Sequence, residues 1–309
     1  MKAVMYHYVR KEDLSLPGFV YLHASDFEKQ INYFNKNFRV LNKEEIYDCI
    51  EHKKIIDNGI ILTFDDGLKD HYKYVFPILK ERGLVGIFYI PSLPFFNKKL
   101  LDVHRVHYLL GRFGGKRLCE ALTYILKSEY LLSDKMDMFA SNTYQKQVAD
   151  VYTKQFKQML NYCIRPDKKT MILDQLMEQF QIDEESLMKD YYLTSDETQE
   201  MVDGGMIVGS HSHSHTLLSN LDKNEQLEEI SFSIDYLNQF VNNNLDTFCY
   251  PYGGKLSYND DTLSILAEKN IKFAFSVESR DIMLHDIEEK YEIPRYDCNE
   301  FPHGKATGI

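Results

Sequence analysis

Short apolar runs alternate with amphipathic stretches along most of this chain. Ala3-Val4-Met5-Tyr6, Gly59 to Phe64, Val85 to Ile90, Ile207-Val208-Gly209-Ser210, Thr247-Phe248-Cys249-Tyr250 and Lys272 to Val277 each read as a short buried strand. Between them lie helical patterns. Ser25 and Glu28 have capping-box spacing ahead of Phe27, Ile31, Phe34 and Phe38, and Asn42 with Glu45 starts a second helix carrying Ile46 and Ile50. A third carries Val75, Phe76 and Leu79, with Pro77 kinking or beginning it and Gly83 as its stop. Thr194 or Ser195 caps a short helix before Gly204-Gly205. Leu227, Ile230, Ile234, Leu237 and Val241 mark a long amphipathic helix, and another is expected around 260–269.

The rhythm breaks once. Residues 92–192 carry frequent charges, few Pro or Gly after Gly115, and apolar residues at helical spacing. The expected organisation is therefore an α/β unit made of 1–91 and 193–309, interrupted by a mostly helical insertion. Asp102-Val103-His104-Arg105-Val106-His107 lies in that insertion. It is an ordinary helix face unless the insertion forms a lid over the site.

Composition narrows the class. With 44% hydrophobic residues the chain can bury a sizeable core, and 22 Tyr and 19 Phe carry the aromatic content in the absence of Trp. A net charge of −11 argues against a nucleic-acid surface or a polybasic membrane patch. No stretch approaches transmembrane length, and five scattered cysteines without a Cys-x-x-Cys favour reduced thiols, so a cytoplasmic location is expected.

The chemistry sits where the apolar runs end. His7, Asp65-Asp66, His211 and His215, Tyr252 and Arg295 each follow one. In a barrel or open sheet of parallel strands the carboxyl ends lie on one face, so these residues would gather despite their separation in sequence. Adjacent carboxylates repel each other unless a metal or a split in protonation absorbs the charge. Two imidazoles plus one carboxylate form a common catalytic zinc set, leaving the second Asp as a base. His211 and His215 are four apart, as on one helical turn, whereas a 211/213 pairing would suit a strand.

Three segments together resemble the NodB-homology polysaccharide deacetylases (carbohydrate esterase family 4). They are Thr63-Phe64-Asp65-Asp66-Gly67, Gly209-Ser210-His211-Ser212-His213-Ser214-His215, and Tyr250-Pro251-Tyr252-Gly253. The resemblance implies a distorted (β/α) barrel and metal-dependent removal of N- or O-acetyl groups from a sugar. It implies that Asp66, His211 and His215 hold one divalent ion and that Asp65 is the general base, with the Tyr252 backbone N–H stabilising the oxyanion. Zinc is the first expectation for the ion, with cobalt, nickel and manganese as alternatives.

Two departures from the family pattern carry expectations of their own. Cys249-Tyr250 stands where the family has an Arg, so Arg295 is the candidate to orient Asp65. The Leu-x-His that supplies the family's general acid is displaced. His7, in Met5-Tyr6-His7-Tyr8, is then the first candidate and His285 the second. Two other functions share these features: hydrolysis of a cyclic amide or imide on the same fold, and a non-catalytic glycan-binding module.

Overall fold

A computed structural model describes residues 1–97, 99–132, 149–239, 241 and 245–307. The described residues divide into two units. One comprises Met1–Lys11, Leu22–Asn97 and Lys189–Lys305; the other contains Glu12–Tyr21, the described part of Lys98–Met188, and Ala306 with Thr307.

The first unit is built on a parallel sheet. Its strands are β1 (Lys2–Tyr6), β4 (Arg39–Val40), β5 (Gly59–Phe64), β6 (Ile87–Ile90), β7 (Ile207–Ser210), β8 (Thr247–Cys249), β9 (Phe273–Phe275) and β10 (Tyr296–Asp297). A two-stranded sheet of β2 (Val9–Arg10) and β3 (Leu22–His23) lies apart from it. In the large sheet the order is β10-β1-β5-β6-β7-β8-β9, with β4 also on β5. An isolated parallel bridge between Phe275 and Ile293 links β9 to the segment entering β10, so the sheet curls nearly shut. This is the expected distorted (β/α) barrel.

Side-chain alternation sorts the strands into two faces. Leu62 and Phe64 of β5, Phe88 and Ile90 of β6, and Phe248 of β8 cluster with Phe27, Ile31, Ile230, Ile234 and Leu237 from the surrounding helices. Their neighbours Ile61, Ile87, Tyr89, Ile207, Cys249, Phe273 and Phe275 form a separate cluster, which is the barrel interior. Gly209 is needed on that inner face: a Cβ there would lie 2.5 Å from the Tyr89 ring.

Local signals fixed most helix ends. Asn42 with Glu45 caps Lys43–Glu51, and Thr194 with Glu197 caps Ser195–Asp203, both as complete capping boxes. The expected start at Ser25 is corrected. The helix Ala24–Asn37 is capped two residues earlier, by His23, whose side chain accepts the Ser25 N–H.

The second unit is helical among its described residues, with Asp102–Phe113, Gly115–Ile125, Val151–Gln158 and Pro166–Gln179 around Leu109, Leu118, Phe156 and Leu173. His104 is buried in it, beside a buried Arg105 that pairs with Glu184, Asp174 and Asp102.

Candidate metal centre

Register brings the strand ends together. Tyr6 pairs with Phe64 across β1 and β5, so His7 emerges level with Asp65, whose N–H donates to the Tyr6 carbonyl. Asp65 continues the inward alternation of Ile61 and Thr63, and His211 continues that of Ile207 and Gly209.

The chain then turns sharply. Asp66 (φ 79°) and Gly67 (φ 60°) both adopt the left-handed region, and a Cβ on Gly67 would press on Ile90 at 2.9 Å. Ser212 (φ 62°), His215 (φ 57°) and Tyr252 (φ 64°) are left-handed as well. Such backbone costs on the order of 1–3 kcal/mol per residue and persists where the surroundings overdetermine it.

Asp66 Oδ1 lies 3.5 Å from His211 Nε2 and 3.3 Å from His215 Nε2, with all three side chains buried. The histidines come from a loop, so the expectation of a helical turn is corrected. Left-handed residues fold that loop back, and the Ser212 hydroxyl accepts the His215 N–H at 3.2 Å. Non-local partners pin it: the N–H groups of Ser92 and Leu93 donate to the Ser212 and His213 carbonyls. Glu229 accepts from the N–H groups of His213 and Ser214 and from the Ser214 hydroxyl. His213 itself turns to Ser92, with Nδ1 2.8 Å from its hydroxyl, which leaves the 211/215 pair at Asp66.

These donors fit one divalent ion. A carbonyl only accepts, so His211 Nδ1 donates to the Cys249 carbonyl at 2.7 Å, and its Nε2 carries the lone pair toward Asp66. Burial pushes the His211 imidazole down to about 4, keeping it neutral and able to ligate. Tetrahedral donors about 2.0–2.1 Å from a metal are about 3.3 Å apart, close to the two separations found here.

A second grouping, Asp65, His211 and Cys249, also has ligand atoms within 4.8 Å of one another. It is the weaker set. Burial holds the Cys249 thiol well above its ordinary range, and Asp65 is committed elsewhere.

That commitment is to Arg295. Its Nη1 and Nη2 donate to Asp65 Oδ1 and Oδ2, each at 2.8 Å. Nη1 also reaches the Thr63 hydroxyl, Nη2 the Cys249 sulfur and Nε the Ser276 carbonyl. All five guanidinium donors are thus used, which makes complete burial of the group tolerable. Burial is the largest single influence on Asp65 and opposes its ionisation, but the Arg295 charge and hydrogen bonds, together with His211 and His7, outweigh it and hold the carboxyl below its ordinary range.

His7 is partly exposed, with Nε2 4.0 Å from Asp65 Oδ2. Behind it, His71 places a ring nitrogen 2.8 Å from the His7 carbonyl, and burial lowers that imidazole to about 4. Neutral His71 therefore donates. His71, Glu229 and the Cys249 carbonyl went unseen in the sequence because their partners are remote in the chain.

His285 is not among the gathered residues. The N–H of Ile282 donates to the Met1 carbonyl and Asp281 pairs with Lys2, so that segment lies at the amino end of β1, across the sheet from Asp65. His285 is exposed there beside Asp286. Tyr252 packs its ring 5.1 Å from that of His215, the two planes tilted by 60°.

Fold and site together define a class: a parallel (β/α) barrel with a buried two-histidine, one-carboxylate donor set beside an ionised carboxylate. The family model for polysaccharide deacetylase matches residues 173–274, spanning the histidine loop and the Tyr252 turn. No curated protein sequence matches the chain.

Three solved structures share the fold. Streptococcus pyogenes deacetylase PplD in complex with acetate aligns at TM-score 0.58 and 18% identity over 96% of this chain and 91% of that one. A de-N-acetylase from Aggregatibacter actinomycetemcomitans aligns at 0.53 and 15% over 95% and 93%. IcaB from Ammonifex degensii aligns at 0.51 and 15% over 89% and 82%. The resemblance to the NodB-homology polysaccharide deacetylases and the fold that it implies are both borne out.

Proposed function

We propose that this protein is a metal-dependent deacetylase that hydrolyses the N-acetyl group of a sugar. The observation that carries the proposal is the convergence of Asp66, His211 and His215 beside an Asp65 held ionised by Arg295. The family match and the names of the structural neighbours support the substrate class.

Asp66 Oδ1, His211 Nε2 and His215 Nε2 would hold the ion. When bound, a divalent metal such as zinc polarises the acetyl carbonyl and lowers the pKa of water. Asp65 receives the proton of the attacking water at the carboxylate edge that Arg295 leaves open. Its depressed pKa makes it a weak base, which a bound metal would complement by acidifying the water. Arg295 keeps the carboxylate plane fixed. The Tyr252 backbone N–H, set by a left-handed φ, is assigned to the developing oxyanion. His7 holds at Nε2 the proton that the leaving amine takes, and His71 orients it through the backbone carbonyl.

The test combines elemental analysis with acetate release from a panel of N-acetylated sugars. Wild type is expected to bind one ion and release acetate, and Asp66→Ala/His211→Ala to do neither. A wild-type protein that binds no zinc or cobalt on resupply would overturn the proposal.

A further inference from the structure

Beside the metal loop, aromatic side chains gather on a flank that the mechanism does not use. The His213 ring lies 4.5 Å from Phe232, which is 5.1 Å from Phe96. Phe96 is 4.2 Å from Tyr236, and the Phe232 and Tyr236 rings, one helical turn apart, are within 2° of parallel. Phe96 and Phe232 remain 48% and 45% exposed. A cavity of about 350 Å³ adjoins them, lined by His213, Leu221, Glu225, Glu228, Glu229 and Phe232. That volume lies in the range of small-molecule sites, about 300–1,000 Å³.

The composition discriminates among occupants. Exposed aromatic faces invite cover. An apolar plug from a protein partner would strip water from the Glu225 and Glu228 carboxylates without replacing their hydrogen bonds. An anionic polymer would be repelled by them. A pyranose ring meets both demands, with an apolar C–H face for the aromatic rings and hydroxyls on its edge for the carboxylates.

Position points the same way. His213 lies between the two metal-site histidines in sequence and its ring packs on Phe232, so the platform adjoins the loop that carries the metal donors. Glu229, on the helix Lys223–Leu237 that carries Phe232, also grips the histidine loop.

We propose that Phe96, Phe232 and Tyr236, with His213 and the carboxylates of Glu225 and Glu228, form an outer subsite for one sugar of a glycan. A neighbouring sugar on the same chain then occupies the metal centre. The substrate is accordingly an oligomer of N-acetylhexosamine rather than a monosaccharide. This rests on the deacetylase reading for its substrate, but it can be tested apart from turnover.

The chain contains no Trp, so Phe232→Trp introduces a single indole reporter on the platform. Titration with an N-acetylglucosamine tetramer is expected to change its emission saturably, and with the monosaccharide far less. Emission indifferent to the tetramer overturns the subsite, whether a protein or nothing covers the platform instead. In kinetics, Phe232→Ala is expected to lower the ratio of kcat/KM for tetramer over monosaccharide about tenfold, as for loss of a stacked aromatic contact. An unchanged ratio also overturns the subsite. Wild type that releases no acetate from either sugar strikes the deacetylase reading alone, and the indole titration then decides the subsite by itself.

Discussion

Replacing Arg295 with Met keeps an unbranched side chain but removes the guanidinium from the barrel interior. Arg295 and Asp65 are 1% and 2% exposed, so water cannot take over the lost contacts. Asp65 loses both of its 2.8 Å charge-assisted bonds, and Thr63, Ser276 and Cys249 each lose a donor. Removing one partner of a buried ion pair costs about 3–5 kcal/mol, chiefly because the other charge is stranded. Urea unfolding followed by circular dichroism at pH 7 should show a loss of that size.

The pH dependence separates this cause from a packing defect. In the wild type the Asp65 carboxyl sits below its ordinary value of 3.8. Its stabilisation is therefore fully present above pH 3.8 and is lost only as pH falls through the lower folded value. In the variant, burial acts without the offsetting charge and raises the carboxyl above 3.8. Folding then takes up a proton, and the variant recovers stability as pH falls from neutrality toward 4. The gap between the two proteins is thus widest at pH 7 and narrows on acidification, and adding Asp65→Asn should restore part of the loss. A cost below about 1 kcal/mol, or a gap constant from pH 7 to pH 4, would refute the reasoning.

Two further comparisons test pairs of histidines between which the sequence offered a choice. His215→Ala is expected to weaken zinc binding by more than roughly 100-fold, while His213→Ala keeps one ion per chain by elemental analysis. Loss of metal in both variants would count against the 211/215 assignment. His7→Gln should lower kcat by roughly 10²–10⁴-fold. His285→Gln, at the far end of β1, should leave kcat within about twofold in the same acetate assay. Equal effects from the two would remove His7 from its role.

Features carried by neighbouring residues were legible before any coordinates. Apolar runs ending in polar residues located the strands and the candidate site on one face. The Asn42–Glu45 and Thr194–Glu197 caps, being contacts three residues apart, were readable as spacing. Asp65, Asp66, His211, His215 and Arg295 could be named because each lies at the end of an apolar run, and the three motif-like segments added the family resemblance.

Contacts between remote segments were decided only by the tertiary structure. Spacing of four suggested a helical turn for His211 and His215. The loop instead takes its shape from Ser92, Leu93 and Glu229, whose hydrogen bonds make left-handed backbone tolerable. The sequence ranked His7 ahead of His285, but only the Tyr6–Phe64 register and the Ile282–Met1 bond set them at opposite ends of the sheet. Arg295 reaches Asp65 because the Phe275–Ile293 bridge nearly closes the barrel and carries the last segment across its interior. Local patterning specifies which face of each element is buried. Which buried groups meet depends on barrel closure, a property of all the strands at once.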